Sequence, residues 1–74
     1  MKIRVKDLST DEILYENIEA EDFLYEQDSD IELEENLNLL EYEEVGMKVL
    51  FFGNDTDFEI EKLEDDNIYE DEDF

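Results

Sequence analysis

The 74-residue chain carries 27 Asp and Glu against 5 Lys and Arg, a formal net charge of −22. It has no Cys and no His, which excludes disulfides, thiol chemistry, thiolate or imidazole zinc sites and the commonest general base. Apolar residues make up 41% and aromatics 12%, enough for a packed core and more than a fully disordered acidic chain usually holds.

Met1 opens what reads as a complete small frame of one domain. "KIRVK" alternates strictly, with Ile3 and Val5 on one face and Lys2, Arg4 and Lys6 on the other, the period of a half-buried strand. "STDE" supplies a turn and "ILYENI" a second strand, so residues 2–18 are expected to form a hairpin. "EAEDFLYEQ" reads as a short helix. A second helix is expected to begin near residue 30, where Ser29 and Glu32 have the spacing of a capping box. Leu33, Leu37 and Leu40 then form one core-facing stripe, with Gly46 as the stop. "MKVLFF" is apolar on both faces, as a central strand would be. "GNDTD" turns the chain, with Gly53 and Asn54 available for positive φ, and "FEIEKL" completes a second hairpin over 47–63. The order is ββααββ, an α+β class: a small antiparallel sheet from two hairpins, with one or two short acidic helices on one face. Residues 1–63 are expected to be the folded domain, and 64–74, with 7 acids, a mobile tail. No apolar run approaches the roughly 20 residues of a membrane-spanning helix, and no signal peptide is visible, so the expected location is cytoplasmic.

The charge is uneven. Residues 19–46 hold 12 acids and no Lys or Arg. On the second helix, Glu34 and Glu41 flank the leucine stripe on one side, Glu32 and Glu43 on the other, and Ile31, Glu35, Leu39 and Tyr42 lie opposite it. A plain structural reading has the first helix or the tail covering Ile31, Leu39 and Tyr42. A functional reading makes them apolar anchors ringed by acids. Carboxylates at i and i+4 on a helix stand about 6 Å apart along the axis. Those at i and i+2 on a strand stand about 6.7 Å apart. Two phosphate steps of a DNA strand span about 6.8 Å. Rows of acids on a rigid scaffold therefore approximate the charge rhythm of a nucleic-acid backbone, although any dense acidic face meets this condition.

In size, charge, lack of Cys and the acid-rich segment "DSDIELEENLNLLEYEE", the chain resembles the phage-type DNA mimics. This class includes inhibitors of uracil-DNA glycosylase, anti-restriction proteins and anti-CRISPR proteins. The resemblance is to a class and rests on no family motif. It implies a non-catalytic inhibitor that occupies the nucleic-acid channel of a host or defence enzyme. The expected partner is a basic nucleic-acid-binding protein, with no direct contact to nucleic acid or membrane; a homodimer is compatible. The expected contact residues are Asp28, Asp30, Ile31, Glu32, Glu34, Glu35, Leu39, Glu41, Tyr42, Glu43 and Glu44.

Other functions fit less well. Calcium loops need Gly at the sixth and Glu at the twelfth position. Counted from Asp28 these are Leu33 and Leu39, and from Asp55 they are Ile60 and Asp66, so no metal or cofactor is expected. With 27 acids, some pair always has a spacing suited to acid–base work, so that spacing identifies no enzyme. Two alternatives stand beside mimicry. One is an acidic adaptor for a basic surface of a regulator or polymerase subunit, without competition from DNA. The other is an acidic surface for solubility alone.

Overall fold

The structure, a computed structural model, describes residues 1–53 and 56–64. It contains β1 (Lys2–Asp7), β2 (Glu12–Glu19), α1 (Ala20–Glu26), α2 (Ile31–Glu41), β3 (Lys48–Phe52) and β4 (Asp57–Lys62). The four strands form one antiparallel sheet in the order β2-β1-β4-β3. The ββααββ order and the α+β class are those expected from the sequence. The two hairpins stand side by side through their outer members in sequence, with Ile3 opposite Lys62 and Asp7 opposite Phe58. From residue 65 the expected tail lies outside the described residues, as does Asn54.

Strict alternation places Ile3, Val5, Phe51, Phe58 and Ile60 on the inner face of the sheet, where all are buried. Ala20 and Phe23 from α1, and Leu33, Leu37 and Leu40 from α2, complete the same core. Phe23 is its centre. Its ring meets Tyr15 at 5.8 Å and Phe58 at 5.4 Å, both edge to face, the favoured geometry for aromatic pairs. The Tyr15 hydroxyl donates to the Glu26 carboxylate, tying β2 to the end of α1. That hydrogen bond, with burial and the nearby negative charge adding to it, raises the Tyr15 pKa above its usual value.

Four local expectations are corrected. "KVLFF" is an edge strand, not a central one. Its inner residue Phe51 is buried, but Leu50 and Phe52 are 51% and 64% exposed on the opposite face. The N-cap of α2 is Asp30, whose carboxylate accepts the Leu33 N–H at 3.1 Å, and not Ser29. Ser29 is held at φ 54 beside Asp28 at φ 62, forming the corner between the helices. Asp30 sits where a β-region residue can present an oxygen to the first free amides. α2 stops at Glu41 with Tyr42 as its cap, several residues before Gly46, which takes φ 94 in the turn leading to β3. Gly53 does not use positive φ. It is required for space: a Cβ there would stand 2.9 Å from the Phe51 ring and 3.1 Å from the Thr56 carbonyl.

The C-terminal end of α2 has no basic residue in its last turn. Lys62 supplies one from β4. Its ammonium donates to the carbonyls of Glu41 at 2.8 Å and Glu43 at 2.9 Å, meeting orphan acceptors at the negative end of the helix dipole. Lys62→Met keeps the apolar stem and removes these bonds. It is expected to cost about 1 kcal/mol, read as a fall in Tm of about 4–8 °C.

Candidate functional site

All five cations are committed. On the outer face of the sheet Lys2 pairs with Glu19 at 3.5 Å, Arg4 with Glu61 at 3.2 Å and Lys48 with Glu59 at 3.1 Å. Lys6 pairs with Asp11 at 2.9 Å. The hydrogen bond and charge of Asp11 raise the Lys6 pKa, with Glu59 adding a smaller push. The N-terminal ammonium also meets Glu19, at 3.4 Å. Exposed pairs of this kind contribute little stability each. Their consequence is spatial, because they commit these cations to acids of the sheet and its turns, outside residues 20–46. The fifth cation, Lys62, is held by the two carbonyls at the end of α2.

Among the described residues, no ion pair reaches the helical side. Residues 20–46, which form both helices and the chain leading to β3, contain 11 acids and no Lys or Arg. α2 displays Glu32, Glu34, Glu35 and Glu41 to solvent, and Glu43 and Glu44 continue the row beyond its end. Ile31 (71%), Leu39 (64%) and Tyr42 (87%) are exposed among them, so α1 does not cover these three. The core stripe Leu33, Leu37 and Leu40 fixes this presentation, since burying those leucines turns the remaining positions outward.

The expected contact residues share one side of the sheet but not one plane. Glu34 and Glu41 border a groove of about 220 Å³ against α1, with Glu21 on the opposite bank. Asp28 and Asp30 border a second cleft of about 270 Å³, joined by Glu26 and floored by Phe51 and Phe58. Asp30 is partly occupied in capping α2. Glu21, Asp22 and Glu26 belong to the same acidic side and were not expected there. Their signal was present in "EAEDFLYE", whose buried positions Ala20 and Phe23 leave the acids facing outward. Tyr25, 80% exposed on the same helix, was also missed. Among the described residues no three acids converge to hold a metal ion, and no helix is long and apolar enough to cross a membrane.

Chemically, the described residues of this side present a dense field of carboxylates on a rigid frame, interrupted by a few apolar side chains. Such a surface attracts and orients a basic partner and raises its association rate. No protein-family model matches the chain, and no curated protein and no solved structure resembles it at a significant level.

Proposed function

We propose that this protein is a non-catalytic inhibitor that imitates the charge of a nucleic-acid backbone and blocks a nucleic-acid-binding protein of the host or of its defences. The observation that carries this reading is the segregation of charge. Four of the five Lys and Arg pair with acids of the sheet and its turns and the fifth, Lys62, binds backbone carbonyls at the end of α2, so among the described residues none of the 11 acids of residues 20–46 has an ion-pair partner. Self-repulsion of this kind destabilises a compact fold. An acidity serving solubility alone would not need to place every ion pair away from these 11 acids. The acids of α2, with Ile31, Leu39 and Tyr42 as apolar anchors, form the contact face, and the protein acts in the cytoplasm, where such targets work.

The test is capture from nuclease-treated bacterial lysate on the immobilised protein at moderate salt. The expected result is one dominant nucleic-acid enzyme, released by added duplex DNA and by raised salt. A dominant partner indifferent to DNA would instead make the protein an acidic adaptor. A smear of basic proteins would reduce the acidic side to a solvated surface.

A further inference from the structure

We propose that β3 is a self-association edge, on which a second copy of the chain lays its own β3 antiparallel about Leu50 and joins two four-stranded sheets into one. The starting observation is where the acids stop. Residues 45–54 contain none, the longest such interval in a chain with 27 acids in 74 positions, and β3 lies inside it. Two copies at −22 each repel wherever acid meets acid. The β3 margin is where they can approach with no carboxylate from either strand between them.

The two edges of the sheet are built differently. Edge strands that must stay unpaired are blunted by charge, by irregular register or by brevity. β2 has such protection: its register to β1 shifts on both sides of Val5, and it carries Glu12, Glu16 and Glu19. β3 pairs with β4 without a shift from Lys48↔Glu61 to Phe52↔Asp57, and Lys48 is its single charge. Leu50 and Phe52 are exposed on its outer face, and Val45 and Met47 in the approach to the strand are 60% and 46% exposed.

The backbone groups of β3 that pair with no other described residue set the register. Lys62 donates to the Met47 carbonyl and Gly53 donates to the Thr56 carbonyl, so the odd-numbered residues of β3 bond toward β4. Lys48, Leu50 and Phe52 therefore point their N–H and C=O groups away from the sheet. With the two-fold axis at Leu50, each Leu50 exchanges both bonds with its counterpart, and Lys48 exchanges both with Phe52 of the second copy. On the outer face this sets leucine against leucine and each ammonium beside a phenyl ring, a favourable contact. Centring on Lys48 would oppose two ammoniums, and centring on Phe52 would leave most of the strand unpaired. The same axis places the helices of both copies on one side of the joined sheet. A five-residue strand is only about 17 Å long. The contact falls short of the roughly 800 Å² per partner of a standard stable complex. The dimer is accordingly weak, with Kd on the order of 10–100 µM.

The proposal goes beyond the mimicry reading, and salt separates the two. Binding to a basic partner weakens as salt rises. Association of two equally acidic copies strengthens, because the Debye length falls from about 10 Å at 0.1 M to about 3 Å at 1 M. Sedimentation of the full chain from 10 µM to 1 mM is expected to show a monomer–dimer equilibrium that tightens at least tenfold between 0.05 and 1 M NaCl. Leu50→Lys should abolish it without changing the circular dichroism spectrum. A second measurement uses the absence of cysteine. Leu50→Cys should give a covalent dimer on mild oxidation, since residues opposed in a bonded antiparallel pair lie about 5.5 Å apart at Cα. Asn17→Cys, on the opposite edge, should not. A monomer across the whole range with uncrosslinked Leu50→Cys overturns the proposal and leaves the edge to a different strand. A dimer that survives Leu50→Lys overturns it as well.

Discussion

Phe23→Ala is expected to leave most molecules unfolded at 25 °C. Phe23 is fully buried and contacts Tyr15 from β2 and Phe58 from β4, so one ring links α1 to both halves of the sheet. Removing a buried phenyl ring typically costs about 3–5 kcal/mol, part of it lost transfer energy and part the cavity left behind. A domain this small commands only about 3–5 kcal/mol in total, and the self-repulsion of −22 draws on the same reserve. Loss of the near-ultraviolet aromatic signal and of the cooperative melt would be the readout. Phe23→Leu, which refills most of the volume, should retain a transition at lower temperature. A cooperative melt within a few degrees of the wild type for Phe23→Ala would show that the core is held elsewhere.

The second large effect concerns binding. Glu35→Lys, Glu41→Lys and Glu44→Lys together should weaken capture of the basic partner by a factor of 100 or more, while the fold persists. The positions separate the two effects. All three are exposed. Glu41 and Glu44 stand at and beyond the C-terminal end of α2, where a positive side chain suits the helix dipole and a negative one opposes it. The triple variant should therefore melt no lower than the wild type, and higher if relief of repulsion adds to the dipole effect. Affinity, measured by calorimetry against the captured partner at 0.15 M salt, should fall, and its dependence on salt should flatten because fewer ion pairs form. An unchanged affinity would sink the assignment of this face. A wild-type affinity that is itself flat with salt would point to Ile31, Leu39 and Tyr42 as the dominant contacts.

Local periodicity made the elements legible, and non-local pairing hid their arrangement. Ile3 and Val5, Phe58 and Ile60, and the stripe Leu33, Leu37 and Leu40 were identified as core by spacing alone, and all are buried. "KVLFF" was misplaced at the centre because an apolar strand can be covered on both faces or left bare on one, and its own residues do not distinguish the two. What decides is that β1 and β4 pair with each other, a contact between the two ends of the folded region. The cap of α2 was off by one residue because Asp28, Ser29 and Asp30 all have capping side chains, and the choice depends on which backbone adopts left-handed φ. The acidic side was seen on α2 and only half seen on α1. Lys62 was read as a strand residue, correctly, but its reach to the end of α2 spans 19–21 positions in sequence and has no local signature.

The pairing of the first strand with the last has a consequence for synthesis. β1 is made before β4, yet β4 is one of its two neighbours, with Ile3 opposite Lys62. Until Lys62 has been made, β1 lacks that neighbour, and α2 lacks the ammonium that closes its last turn. Such long-range closure must be completed before its contacts repay the entropy. The four-stranded sheet therefore cannot close until β4 has been made. Translation arrested before β4 leaves the β1–β2 hairpin without the strand that joins it to β3, and the leucines and phenylalanines of the core open to the cell's proteases.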